Sequence, residues 1–388
     1  MIYRFLELFP SLAELPPVVQ TAVLAALACA LSFVICLAAG PKLIAMLTAL
    51  KAGQPIRQAA EVHKLAELHG KKVGTPTMGG LMIVGSAVVS TLLFARPENP
   101  YIAVCLGVTV VLALLGFADD FLKVKKHTPE GVSGRVKLVV QTGTALAAVS
   151  ALYFYGGDAA ATGLADAGIH ARTPIGELVS TVSIPFYGPI DIGWLILPFG
   201  TLVIVGASNA VNLTDGLDGL ASGCTIAASI AYGVIALAAG DALFSSPEYL
   251  HLPHHQDMGE LAVFMMALVG ACMGFLWYNC YPARIFMGDT GSLALGGALG
   301  TAAVCTCQEV LLVLIGGVFV AEALSVMMQV GWFKYTRKRF GEGRRLFRMA
   351  PLHHHFELGG VRETQVITRF WMVGLVLALL GISLLSFD

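Results

Sequence analysis

Charge is what this chain of 388 residues lacks. Lys, Arg, Asp and Glu make up 13% of it, against about 25% in a typical soluble domain. With 56% hydrophobic residues and 43 glycines, that scarcity excludes both a soluble globular protein and a disordered one. The net charge of -1 gives no general attraction to nucleic acid, and no such partner is expected. Long polar segments are missing too. The connections between apolar stretches reach about 35 residues at most, too few for a soluble domain of about 50 residues or more. A disulfide scaffold is also excluded. The eight cysteines lie in or beside apolar stretches, where they read as small buried hydrophobes.

What the chain has is apolar stretches of regular length. Nine are free of charge: 15–41, 73–95, 99–118, 138–157, 192–214, 219–240, 261–283, 290–308 and 370–387. A tenth, 310–333, is interrupted only by Glu322. Each is near the roughly 20 residues that cross a bilayer as a helix. The first lacks the basic start, short apolar core and cleavage site of a signal peptide, and reads as a retained span. The expectation is an all-α, polytopic membrane protein of ten transmembrane helices in a single domain, 1–388.

Orientation follows from the basic residues. The connections 42–72, 119–137, 209–218, 279–292 and 334–366 hold 20 of the 24. The positive-inside rule places them in the cytoplasm. Both termini then lie outside.

The unusual polar residues fall on that same inner face. Lys72 precedes Thr75-Pro76-Thr77-Met78-Gly79-Gly80, which enters the second span. Asp119 and Asp120 end the third. Asn209 and Asn212-Leu213-Thr214-Asp215-Gly216-Leu217-Asp218-Gly219 join the fifth and sixth. Asn279 and Phe286-Met287-Gly288-Asp289-Thr290-Gly291-Ser292 join the seventh and eighth. Pro351-Leu352-His353-His354-His355-Phe356-Glu357 lies before the tenth.

Each motif alone has a plainer reading. An acidic pair at a boundary is often a solvated helix end. Asp215 and Asp218 can cap a helix, Gly79-Gly80 can be close helix packing, and three histidines can be a solvated turn. Together they read differently. Five carboxylates (Asp119, Asp120, Asp215, Asp218 and Asp289) gathered at a membrane boundary would repel without a cation. Mg²⁺ takes oxygen ligands and commonly binds one or two carboxylates plus substrate phosphate. Lys72, Lys123, Lys125, Lys126, Lys137 and the arginines of 337–348 supply charge for further phosphates. The set suits phosphoryl transfer, which rests on positioning and charge stabilisation. On the outer side, the 158–191 connection can hold a short hairpin. His251, His254, His255 and Asp257 read as a solvated loop before a metal site. Glu322, the one acid well inside a span, reads as helix packing or a polar pairing before catalysis.

Taken in order and at these boundaries, the five motifs resemble those of MraY. This is the bacterial phospho-N-acetylmuramoyl-pentapeptide transferase family, of the polyprenyl-phosphate N-acetylhexosamine-1-phosphate transferase superfamily (glycosyltransferase 4 family). The resemblance covers nearly the whole chain. It implies transfer from UDP-N-acetylmuramoyl-pentapeptide to undecaprenyl phosphate with Mg²⁺, giving lipid I and UMP in peptidoglycan synthesis. It also implies a homodimer in the bacterial inner membrane that nucleoside antibiotics inhibit. By resemblance, Asp289 is the metal-binding aspartate, helped by Asp215. Asp119 and Asp120 are the acidic pair, and Asp215 is a further catalytic carboxylate. Phe286 matches an aromatic that stacks on uracil. Lys72, Gly216, Leu217, Asp218 and Asn279 match residues around the nucleoside. Thr77 and Asn212 fall with substrate binding, Asn212 beside the metal. His353, His354 and His355 are expected on donor phosphate or sugar, because Mg²⁺ disfavours imidazole.

Asp119 is the candidate general base toward the lipid phosphate. A two-step route through a carboxylate nucleophile stays open beside it. The nearest rival function is a sister transferase of N-acetylglucosamine 1-phosphate. A transporter is a remoter one, since transporters place their substrate near the bilayer midplane.

Overall fold

The computed structural model describes residues 14–50, 74–126, 130–155, 175–246, 249–250 and 252–385. Within them the chain is mostly helical. In order, the elements are α1 (Pro17–Ala49), α2 (Gly80–Phe94), α3 (Pro100–Lys126), α4 (Gly134–Tyr153), α5 (Ile175–Val179), β1 (Thr181–Ile184) and β2 (Gly188–Asp191). Then follow α6 (Ile196–Thr214), α7 (Leu220–Ala239), α8 (Leu261–Asn279), α9 (Gly288–Cys305), α10 (Glu309–Ile315), α11 (Gly317–Phe340), α12 (Leu352–Leu358) and α13 (Glu363–Leu384).

Every one of the ten apolar stretches folds as helix, but they do not all meet the same standard. Seven helices (α1, α3, α4, α6, α7, α8 and α13) are long and apolar enough to cross a membrane, or eight spans if α10 and α11 count as one. Those two meet at an 86° bend, so the stretch 310–333 is not a straight span. The break falls at Gly316. α2 has 15 residues, about 22 Å at 1.5 Å per residue. α9 carries Asp289 in its first turn and is rich in glycine, which lowers its apolarity.

The all-α expectation needs one amendment. β1 and β2 form an antiparallel hairpin with Thr181 opposite Asp191. It lies within the 158–191 connection, in keeping with the short hairpin expected there. Ser183 N–H donates to Cys307 O at 3.1 Å, which ties the hairpin to the far end of α9.

α9 is the axis of the bundle. Every residue in it but Asp289 is buried. It packs against α3 on one side and α6 on the other. Small residues make this possible: a Cβ at Gly300 would stand 2.8 Å from Ile204 Cα on α6. Close backbone approach of this kind is how helices associate in a membrane, where lipid is as apolar as Leu. α8 is the second centre, flanked by α1, α7 and α2.

The helices also run further than the charge-free stretches. α3 continues through Asp119 and Asp120 to Lys126, and its last turn carries Lys123, Lys125 and Lys126. Cations there complement the helix dipole. α4 starts at Gly134, where Ser133 caps Val136 N–H. The motif residues therefore sit on helix ends more than in loops. Six of the eight cysteines are buried, as expected of small hydrophobes, while Cys29 is half-buried and Cys280 exposed.

Candidate active site

The end of α3 and the starts of α4 and α9 meet at one point, with α6 ending beside them. Asp119 and Asp120 on α3 are buried, and Asp289 opens α9. One oxygen from each of the three lies within 4.8 Å of the others. Two lysines balance them. Lys137 Nζ stands 2.6 Å from Asp289 Oδ2 and 2.9 Å from Asp119 Oδ2. Lys123 Nζ stands 2.6 Å from Asp119 Oδ2 and 3.4 Å from Asp289 Oδ2. A pocket of about 470 Å³ opens over Asp119, Lys123, Glu130, Ser133 and Lys137.

The three aspartates are not equivalent. Asp120 is saturated by its neighbours. Its Oδ1 accepts from Asp289 N–H at 3.2 Å, and its Oδ2 accepts from Thr290 N–H at 3.0 Å and Thr290 Oγ1 at 2.7 Å. These are the free backbone donors of the first turn of α9, so Asp120 clamps that helix to α3. Asp119 takes one backbone donor, Val132 N–H to its Oδ1 at 2.7 Å, and turns its Oδ2 to the two lysines. Asn212, on the last turn of α6, donates to Asp289 Oδ1 at 3.0 Å and to Ser292 Oγ at 2.8 Å. Asp289 is thus held from three helices.

The donor set fits a hard divalent cation. It is all oxygen and compact, as Mg²⁺ favours, and Lys123 and Lys137 balance the carboxylates where a cation would. Asp215 is not one of the three clustered acids. It caps α6 and lies beside them, with Gly288 N–H aimed at its carboxylate. Burial of the carboxyl, then the charges of Asp289, Asp120 and Asp218, push it up to about 8.

Two motifs far apart in the chain are zipped together beside this cluster. Phe286 N–H donates to Pro76 O, and Gly79 and Gly80 N–H donate to Phe286 and Met287 O, all at 2.8–2.9 Å. A Cβ on Gly80 would overlap the backbone nitrogen of Gly291. Gly288 takes φ +73°, and a Cβ there would meet Thr77 Oγ1 at 2.7 Å. Thr77 is buried and Phe286 is partly exposed. Asp218 accepts from Ala283 N–H at 3.0 Å, and Asn279 donates to Ile285 O at 2.9 Å. Both pin the 280–285 turn that leads to Phe286. Leu217 is buried and Gly216 exposed. Lys72 lies outside the described residues.

The histidines are built in rather than solvated. His353 is buried and its Nδ1 lies 3.2 Å from Glu322 Oε1. His354 Nδ1 lies 2.9 Å from Glu357 Oε2. His355 Nδ1 accepts from Arg348 N–H at 3.2 Å. Glu322 therefore has the polar pairing that its depth in the bundle called for.

Other contacts had no sequence signal. Gln141 on α4 receives a hydrogen bond from Asn209 and donates to Ser208, which in turn donates to Leu293 O on α9. Away from the site, His254 is exposed in a loop, as read, while His255 is buried. His254 bonds Ala239 O, His255 packs edge-on against Tyr101, and Asp257 pairs with Arg96. His251 lies outside the described residues.

Known proteins are similar to this chain over most of its length. Glycosyl transferase family 4 matches residues 102–307, which include Asp119, Asp120, Asp215 and Asp289. The phospho-N-acetylmuramoyl-pentapeptide-transferase of Methylacidiphilum infernorum (isolate V4) is 48% identical over 358 residues, covering 92% of this chain and 91% of that protein. The enzyme of the same name from Syntrophus aciditrophicus (strain SB) is 47% identical over 357 residues, covering 92% and 90%. With acidic cluster, lysines, zipped motifs and near full-length similarity together, the chain belongs to the phospho-N-acetylmuramoyl-pentapeptide transferase (MraY) family, within glycosyl transferase family 4.

Proposed function

We propose that the chain runs its family's reaction at this pocket. The phospho-N-acetylmuramoyl-pentapeptide group moves from UDP-N-acetylmuramoyl-pentapeptide to undecaprenyl phosphate. An oxygen of the lipid phosphate forms a bond to the sugar-linked phosphorus, the bond to UMP breaks, and lipid I and UMP result. The observation that carries this is the buried cluster of Asp119, Asp120 and Asp289, bridged by Lys123 and Lys137. Mg²⁺ bound there supplies charge that neutralises the donor pyrophosphate and the leaving UMP.

The residues divide the work. Asp289 and Asp119 offer oxygens to the cation, with Asp215 alongside. Asp120 fixes the start of α9 and hence Asp289. Lys123 and Lys137, paired here with Asp119 and Asp289, would be free to bind phosphate oxygens where a cation held those carboxylates. Asp119, at the floor of the pocket, takes the proton of the lipid phosphate. That phosphate is already largely anionic near neutral pH, so the proton transfer contributes little. Phe286, on its pinned turn, stacks on the uracil. His354 and His355, with Nδ1 engaged, present Nε2 to the donor.

The lipid needs an apolar path to the same point. A groove of about 230 Å³ runs between α6, α10 and α11, with Leu202, Val211, Val313 and Leu324 among its walls. It ends near Val211, one residue from Asn212. This is the reading for the polyprenyl chain. The skew of basic residues puts the acidic end in the cytoplasm, where a water-soluble UDP donor is available. In the ten-span arrangement α2 and α9 also cross, shielded by their neighbours.

The test is UMP release and lipid I formation by purified protein in detergent, with both substrates and with or without Mg²⁺. Mg²⁺-dependent turnover of the muramoyl-pentapeptide donor is expected, and D289N should abolish it. Turnover of UDP-N-acetylglucosamine alone would reject the assignment.

A further inference from the structure

Glu322 lies on α11 with no exposed surface. Its Oε1 accepts from His353 N–H at 3.2 Å and stands 3.2 Å from His353 Nδ1. Its Oε2 has no partner among the described residues. A carboxyl is costly inside a membrane protein and survives where a partner uses it. Here that partner is the first histidine of the triple. One oxygen thus binds the backbone of His353 and lies beside its ring.

The ring then reaches the active-site loop. His353 Nε2 is buried and has no hydrogen-bond partner among the described residues. It abuts Gly216 so closely that a Cβ there would overlap it. Gly216 follows Asp215, whose carboxyl lies close enough to Asp289 to feel its charge. A line of direct contact thus runs from α11 through His353 to the loop that holds Asp215.

We propose that Glu322 is a positioning residue for the transfer reaction: it seats His353 against Gly216, and His353 in turn fixes the loop that aims Asp215. The proposal rests on the reading of Asp215 as part of the transfer site. What Glu322 contributes is an acceptor at a set reach. Gln retains an oxygen at that reach, Asp retains the charge but withdraws it by one methylene, and Leu retains the bulk alone.

Purified full-length wild type, E322Q, E322D, E322L, H353A and E322L/H353A would be compared by UMP release and by diethyl pyrocarbonate labelling of His353. Misplacing a site group by about 1 Å can cost about 100-fold, so E322L and E322D are expected to lose about that much in kcat. Donor KM should move by less than about threefold, the pattern of an interaction made in the transition state. E322Q should stay within about fivefold of wild type, and the double variant within about twofold of H353A, because the two residues act as one unit. His353 should be protected in wild type and E322Q, and labelled in E322L and E322D. The proposal is overturned if E322L and E322D keep wild-type kcat, if E322Q is as impaired as E322L, or if the E322L and H353A losses multiply. Should E322L fail to fold, E322D against E322Q decides the same question. If wild type itself releases no UMP, the transferase reading fails, while the labelling still reports whether Glu322 holds His353.

Discussion

Replacing Thr290 by Val separates a clamp from a catalyst. Thr290 Oγ1 donates to Asp120 Oδ2 at 2.7 Å between two buried residues. Val keeps the shape and removes that donor. The backbone N–H groups of Asp289 and Thr290 stay on Asp120 at 3.2 and 3.0 Å. A hydrogen bond to a charged group is worth about 1.5–3 kcal/mol. At about 2.1 cal/mol/K per residue, the 388 residues give an unfolding entropy of about 0.8 kcal/mol/K. The melting temperature in detergent should therefore fall by about 2–4 °C. Loosening the first turn of α9 also moves Asp289, so kcat should fall about tenfold with little change in donor KM. T290S restores the hydroxyl and should restore both. Thermal unfolding and UMP release, on the same preparations, check the two numbers. If T290V matches wild type in both while D120N is inactive, Asp120 acts on metal or substrate directly and the clamp is wrong.

Two further outcomes are expected. G80A drives a Cβ into the backbone of Gly291 and should cost about 3 kcal/mol or more. G85A, with nothing within 4 Å on the same helix, should be neutral or stabilising by up to about 1 kcal/mol; equal melting temperatures for the two would contradict the tight α2–α9 contact. The second outcome concerns pH. Asp215 is pushed up to about 8, above its unfolded value, so below pH 8 the folded protein holds a proton that a cation bound there, as proposed, would displace. Mg²⁺ affinity should rise by about tenfold per pH unit from pH 6 and level off above 8. Mg²⁺ titrations followed by thermal shift measure this, and a flat response from pH 6 to 8 would refute it.

Much of this was legible in the sequence because a membrane sorts residues strongly. Each gap in the charge, from 15–41 to 370–387, folds as helix, since outside a closed barrel only a helix satisfies its own backbone in lipid. Asp119, Asp120 and Asp289 announced themselves by their cost. Contacts made across long separations left no such trace. Asp120 and Thr290 are 170 residues apart, as the hydrogen bond between them records. A carboxylate that clamps a helix and one that holds a cation look alike in a motif. The Gln141–Ser208 link was invisible because neither residue is unusual alone. The bend at Gly316 was hidden because hydropathy measures transfer into lipid, not direction.

That bend has a kinetic meaning. Because α10 turns 86° from α11, the groove between α6 and α11 opens sideways, past exposed Leu202 and Val313. On the proposed reading, one substrate arrives from three-dimensional solution and the other by two-dimensional diffusion. The rate then depends on the molarity of the nucleotide donor but on the mole fraction of the carrier lipid. Adding inert lipid or detergent at constant total carrier should slow turnover, as dilution within a surface does.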